Sequence, residues 1–98
     1  MNVQVIQSEI FLDWLKRLKD HRARVIIANR IDRMARGHFG VCAPVGHGIS
    51  EAKIDYGPGY RLYFVRRGQF LVILLCGGNK ATQQKDIRKA YQLLREEE

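Results

Sequence analysis

Thiols are scarce in this chain: Cys42 and Cys76 are the two cysteines among 98 residues. Two do not make a disulfide framework. Cys76 lies inside an apolar run and reads as a small buried hydrophobe. Long hydrophobic runs are lacking as well. The longest, "FLVILLC", falls far short of the roughly 20 residues a membrane-spanning helix needs. The N-terminal "MNVQVIQSEI" has no basic segment followed by an apolar one, so no secretory leader is expected and a reducing cytoplasm is the expected compartment. There is no internal repeat and no low-complexity stretch. Acidic residues are the minority, 10 Asp plus Glu against 17 Lys plus Arg, which leaves a net charge of +7. Such an excess favours an anionic partner: nucleic acid first, then an acidic protein segment or a membrane surface. A basic protein with no special partner has the same composition. The hydrophobic share of 46% argues against disorder. The length suits one domain, residues 1–98, with a modest core.

Periodicity places the elements. "NVQVIQ" alternates at Val3 and Val5 and reads as a short strand. Ser8 can cap a helix whose stripe is Ile10, Phe11, Trp14, Leu15 and Leu18. Asp20 can cap a second, with Ala23, Ile26, Ile27, Ile31, Met34 and Ala35 inward and Gly37 as its stop. Arg22, Arg30, Arg33 and Arg36 are assigned to the outer side of that helix as a basic ridge, although charge runs of this kind are ordinarily a solvated face. "GHFGVCAPVGHG" reads as a loop, with room for a short strand at "VCAPV". Three strands follow, near 49–56, 60–66 and 69–76. The first pair is joined by "YGPGY" with Pro58 second and Gly59 third in the turn, the next by "RRGQ" around Gly68. "FLVILL" is apolar on both faces, "GGNK" is expected to break the strand, and a last helix from about Thr82 to Arg95 turns Ile87, Ala90, Tyr91 and Leu94 inward. The expected order is β-α-α-β-β-β-α: an α+β domain with two N-terminal helices and one C-terminal helix on a mostly antiparallel sheet.

The stretch "SEAKIDYGPGYRLYF" carries the candidate chemistry. Side chains alternate along a strand, so Ala52, Ile54 and Tyr56 oppose Glu51, Lys53 and Asp55, while Leu62 and Phe64 oppose Arg61, Tyr63 and Val65. With the apolar set against the helices, the polar set shares an open face whose rim Lys80 and Gln83 can reach. Cleaving RNA without a metal requires a base for the 2′-hydroxyl proton, an acid for the leaving oxygen and cations for the phosphorane charge. Arg61 suits the phosphate, Lys53 and Lys80 add positive field or a proton, and Glu51 is a base or orients a cation. Asp55 lies further toward the turn, and Tyr60 and Tyr63 are candidates for stacking on bases or bonding phosphate. Antiparallel sheets also commonly show water one face, with cross-strand charge pairs contributing about 0.2–1 kcal/mol each. His38, Cys42 and His47 share one loop but match no zinc spacing, and "GGNKATQ" lacks the Walker A ending. No Ser-His-Asp motif is present.

"GHGISEAKIDYGPGYRLYF" together with "LLCGGNKATQQKDIRKA" resembles the signature blocks of HigB-like addiction module killer proteins, a branch of the RelE/ParE toxin superfamily. The likeness runs from "FLDWLKRLKD" to the last helix. It implies a RelE-like, microbial-RNase-like fold. The implied activity is that of a type II toxin–antitoxin toxin: a ribosome-dependent, metal-independent endoribonuclease that cleaves mRNA and needs no cofactor. The implied partners are a HigA-like helix-turn-helix antitoxin, the ribosome with its mRNA, and operator DNA reached only through the antitoxin; no membrane is involved. On this resemblance Lys53 and Arg61 match strand cations and Lys80 the later basic position. Glu51 stands where RelE itself has lysine, and Gln83 follows beside Lys80. The tyrosine that RelE-type enzymes carry near the C-terminus finds no match, because Tyr91 falls on the inward stripe. ParE relatives share the fold, lack the ribonuclease set and inhibit DNA gyrase. A plain nucleic-acid-binding module is the remaining alternative.

Overall fold

The computed structural model describes residues 2–97. Its elements are β1 (Gln4–Gln7), α1 (Glu9–Arg17), α2 (His21–Ala35), β2 (Cys42–Gly46), β3 (Ile49–Ile54), β4 (Tyr60–Arg67), β5 (Leu71–Asn79), one 3₁₀ turn (Lys80–Thr82) and α3 (Gln83–Glu97). The class is α+β, with a mixed five-stranded sheet in the order β1-β5-β4-β3-β2. β1 runs parallel to β5; the other three pairings are antiparallel.

The helix ends form for local reasons. Ser8 Oγ accepts from the Phe11 N–H at 3.0 Å and donates to the Leu75 carbonyl at 2.7 Å, so the cap also ties α1 to β5. Asp20 Oδ1 accepts from the Arg22 and Ala23 N–H groups at 3.0 and 3.2 Å. At the far end of α2, Gly37 takes φ 88°. Its N–H reaches the Met34 carbonyl and that of His38 the Arg33 carbonyl, the double bond of a Schellman stop. The stripe of α2 is inward as expected. On α1, Phe11 is buried but Ile10 is exposed, because neighbouring residues lie about 100° apart around a helix and Phe11 defines the inward direction.

Four corrections concern the sheet. The segment "VCAPV" does pair, as β2, so the sheet has five strands and the order is β-α-α-β-β-β-β-α. Its Gly and Pro content conceals it, and an edge strand tolerates Pro44, beside which the register shifts. The hairpin turn bond runs from the Gly59 N–H to the Tyr56 carbonyl at 3.1 Å, so Gly57 and Pro58 are its centre, one residue earlier than expected. Gly59 keeps the expected positive φ, 78°. β5 begins at Leu71, after a Gly68–Phe70 link, rather than at 69. Finally, Gly77 and Gly78 do not break β5, which continues to Asn79. A Cβ on Gly77 would stand 2.4 Å from the Trp14 ring, and one on Gly78 1.8 Å from Asp86 Oδ2. The glycine pair admits α1 on one face and α3 on the other.

The sheet thus has two cores. Against α1 and α2 lie Ala52, Ile54, Tyr60, Leu62, Phe64, Val72 and Leu74. Against α3 lie Ile49, Tyr63, Val65, Ile73, Leu75 and Cys76, with Ala90 and Leu94 above them. A register shift in β5, where Tyr63 faces Cys76 and Phe64 faces Leu74, leaves Leu75 as an extra residue. Both Leu75 and Cys76 then join the α3 core. Burial, and after it the nearby Asp86 carboxylate, pushes the Cys76 thiol up to about 12. Tyr91 departs from its expected inward place: it is exposed, and its ring stacks on His47 at 3.8 Å between centroids.

Candidate functional site

Pairing across the hairpin sets Lys53 directly opposite Arg61 and Glu51 opposite Tyr63. All four share one face, as the alternation predicts. The expectation that this face is open needs correction. α3 crosses it and covers the half nearer the β2–β3 turn, so Glu51 and Tyr63 are buried at 3% and 0% exposure. Toward the β3–β4 turn the face stays uncovered, and there Lys53 is exposed and Arg61 keeps 12% of its side-chain surface.

The uncovered half is a cleft of about 480 Å³ lined by Val41, Lys53, Asp55, Gly57, Pro58, Gly59, Arg61 and Lys80. Its construction centres on Gly59. The Gly59 carbonyl accepts from the Lys80 backbone N–H at 2.9 Å and from Arg61 Nη1 at 3.1 Å. Arg61 Nη1 also donates to the Tyr60 carbonyl at 3.1 Å. A Cβ on Gly59 would lie 3.4 Å from Arg61 Nη1 and 3.5 Å from Lys80 Cβ. Glycine therefore serves both the positive φ and the approach of the two cations. Asn79 accepts from the Ala81 N–H at 2.9 Å and starts the 3₁₀ turn that presents Lys80.

Behind the cleft a buried carboxylate is fully engaged. Gln83 Nε2 donates to both oxygens of Glu51, at 3.0 and 2.8 Å. Arg61 Nε stands 3.8 Å from Glu51 Oε1, close enough for an ion pair and too far for a hydrogen bond, which leaves that N–H without a partner. Glu51, held by Gln83, thus stands as a buried counter-charge behind Arg61. The Tyr63 hydroxyl is buried without a hydrogen-bond partner, and its ionisation is pushed upward by burial and then by the Glu51 charge.

The predicted residues divide accordingly. Lys53, Asp55, Arg61 and Lys80 meet in the cleft, with Glu51 and Gln83 behind it. Tyr60 and Tyr63 require correction as stacking residues. Tyr60 shares the face of Leu62 and packs edge-on against Trp14 in the α1–α2 core, and Tyr63 lies under α3. Neither offers a ring face to a base.

The expected solvent ridge of α2 does not include Arg30, which lies inside. It is 8% exposed, and its guanidinium donates to the carbonyls of Phe39 at 2.9 Å, Val41 at 2.8 Å and Lys53 at 2.8 Å. Val41 and Lys53 are cleft residues, so Arg30 braces that wall from behind. Gly40 makes room for it; a Cβ there would stand 2.8 Å from the guanidinium. The signal was present in the spacing, since Arg30 lies three residues after Ile27 and four before Met34. The other candidate loop stays apart from the cleft. Cys42 Sγ–H donates to the Phe39 carbonyl at 3.4 Å and His47 lies on Tyr91. Among the described residues no group of three His, Cys, Asp or Glu gathers as if around a metal ion. No described helix is long and apolar enough to cross a membrane.

No family model matches the chain. A protein of Haemophilus influenzae, described as "Uncharacterized protein", is 46% identical to it over 96 residues, which spans 98% of this chain and 97% of that one. An identity of that size over nearly the whole of both chains makes this chain a member of the same protein family as the Haemophilus influenzae protein.

Proposed function

We propose that the cleft holds and cleaves an RNA phosphodiester, and that the chain is a HigB-like toxin of the RelE/ParE superfamily acting as a metal-independent endoribonuclease on ribosome-bound mRNA. The observation that carries this reading is the meeting of Lys53, Arg61 and Lys80, from β3, β4 and the 3₁₀ turn, around one concavity. Like charges set directly across a hairpin destabilise it, and the Lys53–Arg61 pair has that placement. An anion between them relieves the repulsion, and a phosphate does so with the geometry a guanidinium matches best.

In the proposed step the 2′-oxygen attacks phosphorus and gives up its proton to solvent water, the bond from phosphorus to the 5′-oxygen breaks, and that oxygen takes a proton from a cleft lysine. The products are a 2′,3′-cyclic phosphate and a 5′-hydroxyl end. Arg61 holds the non-bridging oxygens as charge builds. Lys53 and Lys80 supply field and the proton for the leaving oxygen. Glu51, with both oxygens bound by Gln83, acts as a positioning residue for Arg61 rather than as the base. The assigned partners are a HigA-like antitoxin, the ribosome with its mRNA, and operator DNA through the antitoxin. The assigned compartment is the cytoplasm.

The test is primer-extension mapping of mRNA ends after induced expression, with Arg61→Ala as control. Discrete new ends are expected from the wild type, and about a hundredfold fewer from the variant, the usual cost of removing one oxyanion donor. Growth arrest with a DNA-damage response and intact mRNA would instead mark a gyrase inhibitor. Steeply salt-dependent RNA binding without growth arrest would mark a plain binding module.

A further inference from the structure

We propose that Asp55 reads the base beside the phosphate held in the cleft and favours a base with an exocyclic amino group over uracil; this rests on the reading of the cleft as a phosphodiester site. Asp55 is the carboxylate of the cleft lining, which otherwise carries Lys53, Arg61 and Lys80. Its electrostatic situation is unusual. Among the described residues no Lys or Arg nitrogen lies within 4.0 Å of its oxygens, although three cations share its cavity. Glu51 is the contrast, with both oxygens held by Gln83 and Arg61 beside it. Asp55 is held apart by its backbone. The Tyr56 N–H donates to the Ile54 carbonyl at 3.0 Å, a three-residue turn centred on Asp55 at the exposed end of β3.

An ionised carboxylate only accepts hydrogen bonds. It therefore selects donors: the amino groups of cytosine, adenine and guanine each offer it two N–H bonds, whereas uracil offers a single N3–H flanked by two carbonyl oxygens that repel a carboxylate. The rest of the lining suits a nucleotide. Val41, 67% exposed, and the exposed Pro58 give apolar surface beside the cations. The cavity, about 480 Å³, has the size of a site for one small ligand rather than for a length of strand. Phosphate on the cations, sugar over the apolar wall and base edge at Asp55 use every chemical type the lining offers.

Cytidine and uridine 3′-monophosphate are the informative pair, because they differ in the 4-amino against 4-oxo position and its neighbouring ring nitrogen. Chemical-shift titration of the whole chain is expected to give roughly three- to tenfold tighter binding of the cytidine compound. Asp55→Asn, whose amide can also donate, is expected to erase or reverse that preference, and Asp55→Ala to erase it. Inorganic phosphate, titrated in parallel into wild type and Arg61→Ala, tests the cation site by itself. Equal binding of the two nucleotides, or a preference that survives in both Asp55 variants, overturns the proposal while phosphate binding dependent on Arg61 leaves the reading of the cleft standing. Absence of binding by both nucleotides and phosphate overturns the two together.

Discussion

The two faces of the sheet are built alike and finished differently. On one, α1 and α2 cover Ala52, Ile54, Leu62, Phe64, Val72 and Leu74 with a largely apolar core. On the other, α3 covers Tyr63, Val65, Ile73 and Leu75 and leaves the end of the hairpin bare. Each face has its arginine, and the pair shows what the difference means. Arg30 spends its donors on three carbonyls and is sealed in. Arg61 uses Nη1 on two carbonyls, keeps Nε buried beside Glu51, and among the described residues makes no hydrogen bond through Nη2, on the side of the guanidinium that opens on a cleft. A buried cation with each of its three nitrogens bonded to a carbonyl is scaffold, because no ligand reaches it. A cation fixed by its surroundings with donors in reserve is poised for an anion.

The sharpest way to break this contrast is to empty the closed face. Leu62→Ala removes a fully buried side chain between α1, α2 and the sheet. It should cost about 3–4 kcal/mol by denaturant unfolding, with cleft residues untouched. Next, Arg30→Met should cost about 3 kcal/mol, since three carbonyls lose a charged donor. It should also weaken phosphate binding, because Val41 and Lys53 lose their brace. Equal stability in this variant would return Arg30 to the surface. Arg61→Ala should act chiefly on function, losing phosphate binding and RNA cleavage, with a stability cost of about 1–3 kcal/mol because the buried Glu51 carboxylate loses the cation beside it. Should Arg61→Ala unfold the protein instead, the distinction between the two arginines collapses.

The smallest effect lies in a cap on the closed side. Asp20 accepts from the Tyr56 hydroxyl at 2.9 Å as well as from the first amides of α2. The Tyr56 bond and then the Ala23 amide hold its carboxyl below the usual carboxylate range. A depressed folded value means the stabilisation is complete above the unfolded pKa, about 3.9, and is lost as pH falls through the lower folded value. The gap in Tm between wild type and Asp20→Ala should therefore be full at neutral pH and close on acidification below about pH 4. The same bond raises the Tyr56 phenol, so its contribution is present below about pH 10 and fades as pH rises through the higher folded value. A gap that does not change with pH would detach the cap from the Tyr56 bond.

Much of the site was legible because it rests on local rules. Alternation alone put Glu51, Lys53 and Arg61 on one face, and register then set Lys53 across from Arg61. Tyr60 and Tyr63 lie away from the cleft for two different reasons. Tyr60 belongs by parity to the face of Leu62, which its aromatic type disguised. Tyr63 has the right parity and is covered by a helix some twenty residues later in the chain. Arg30 escaped because a charged residue reads as exposed until three carbonyls are found around it. β2 was half visible, since its pairing partner rather than its composition makes it a strand.

What the chain determines by itself is everything that depends on neighbours in sequence. This includes the caps at Ser8 and Asp20, the stop at Gly37, the stripe of α2, the two-faced hairpin and the excess of positive charge. What the tertiary structure decided is coverage: where α3 comes to rest, which carboxylate is locked and which stays free, and which arginine is walled in. Backbone and side-chain period are set within a few residues, whereas burial is a property of surfaces brought together from distant parts of the chain.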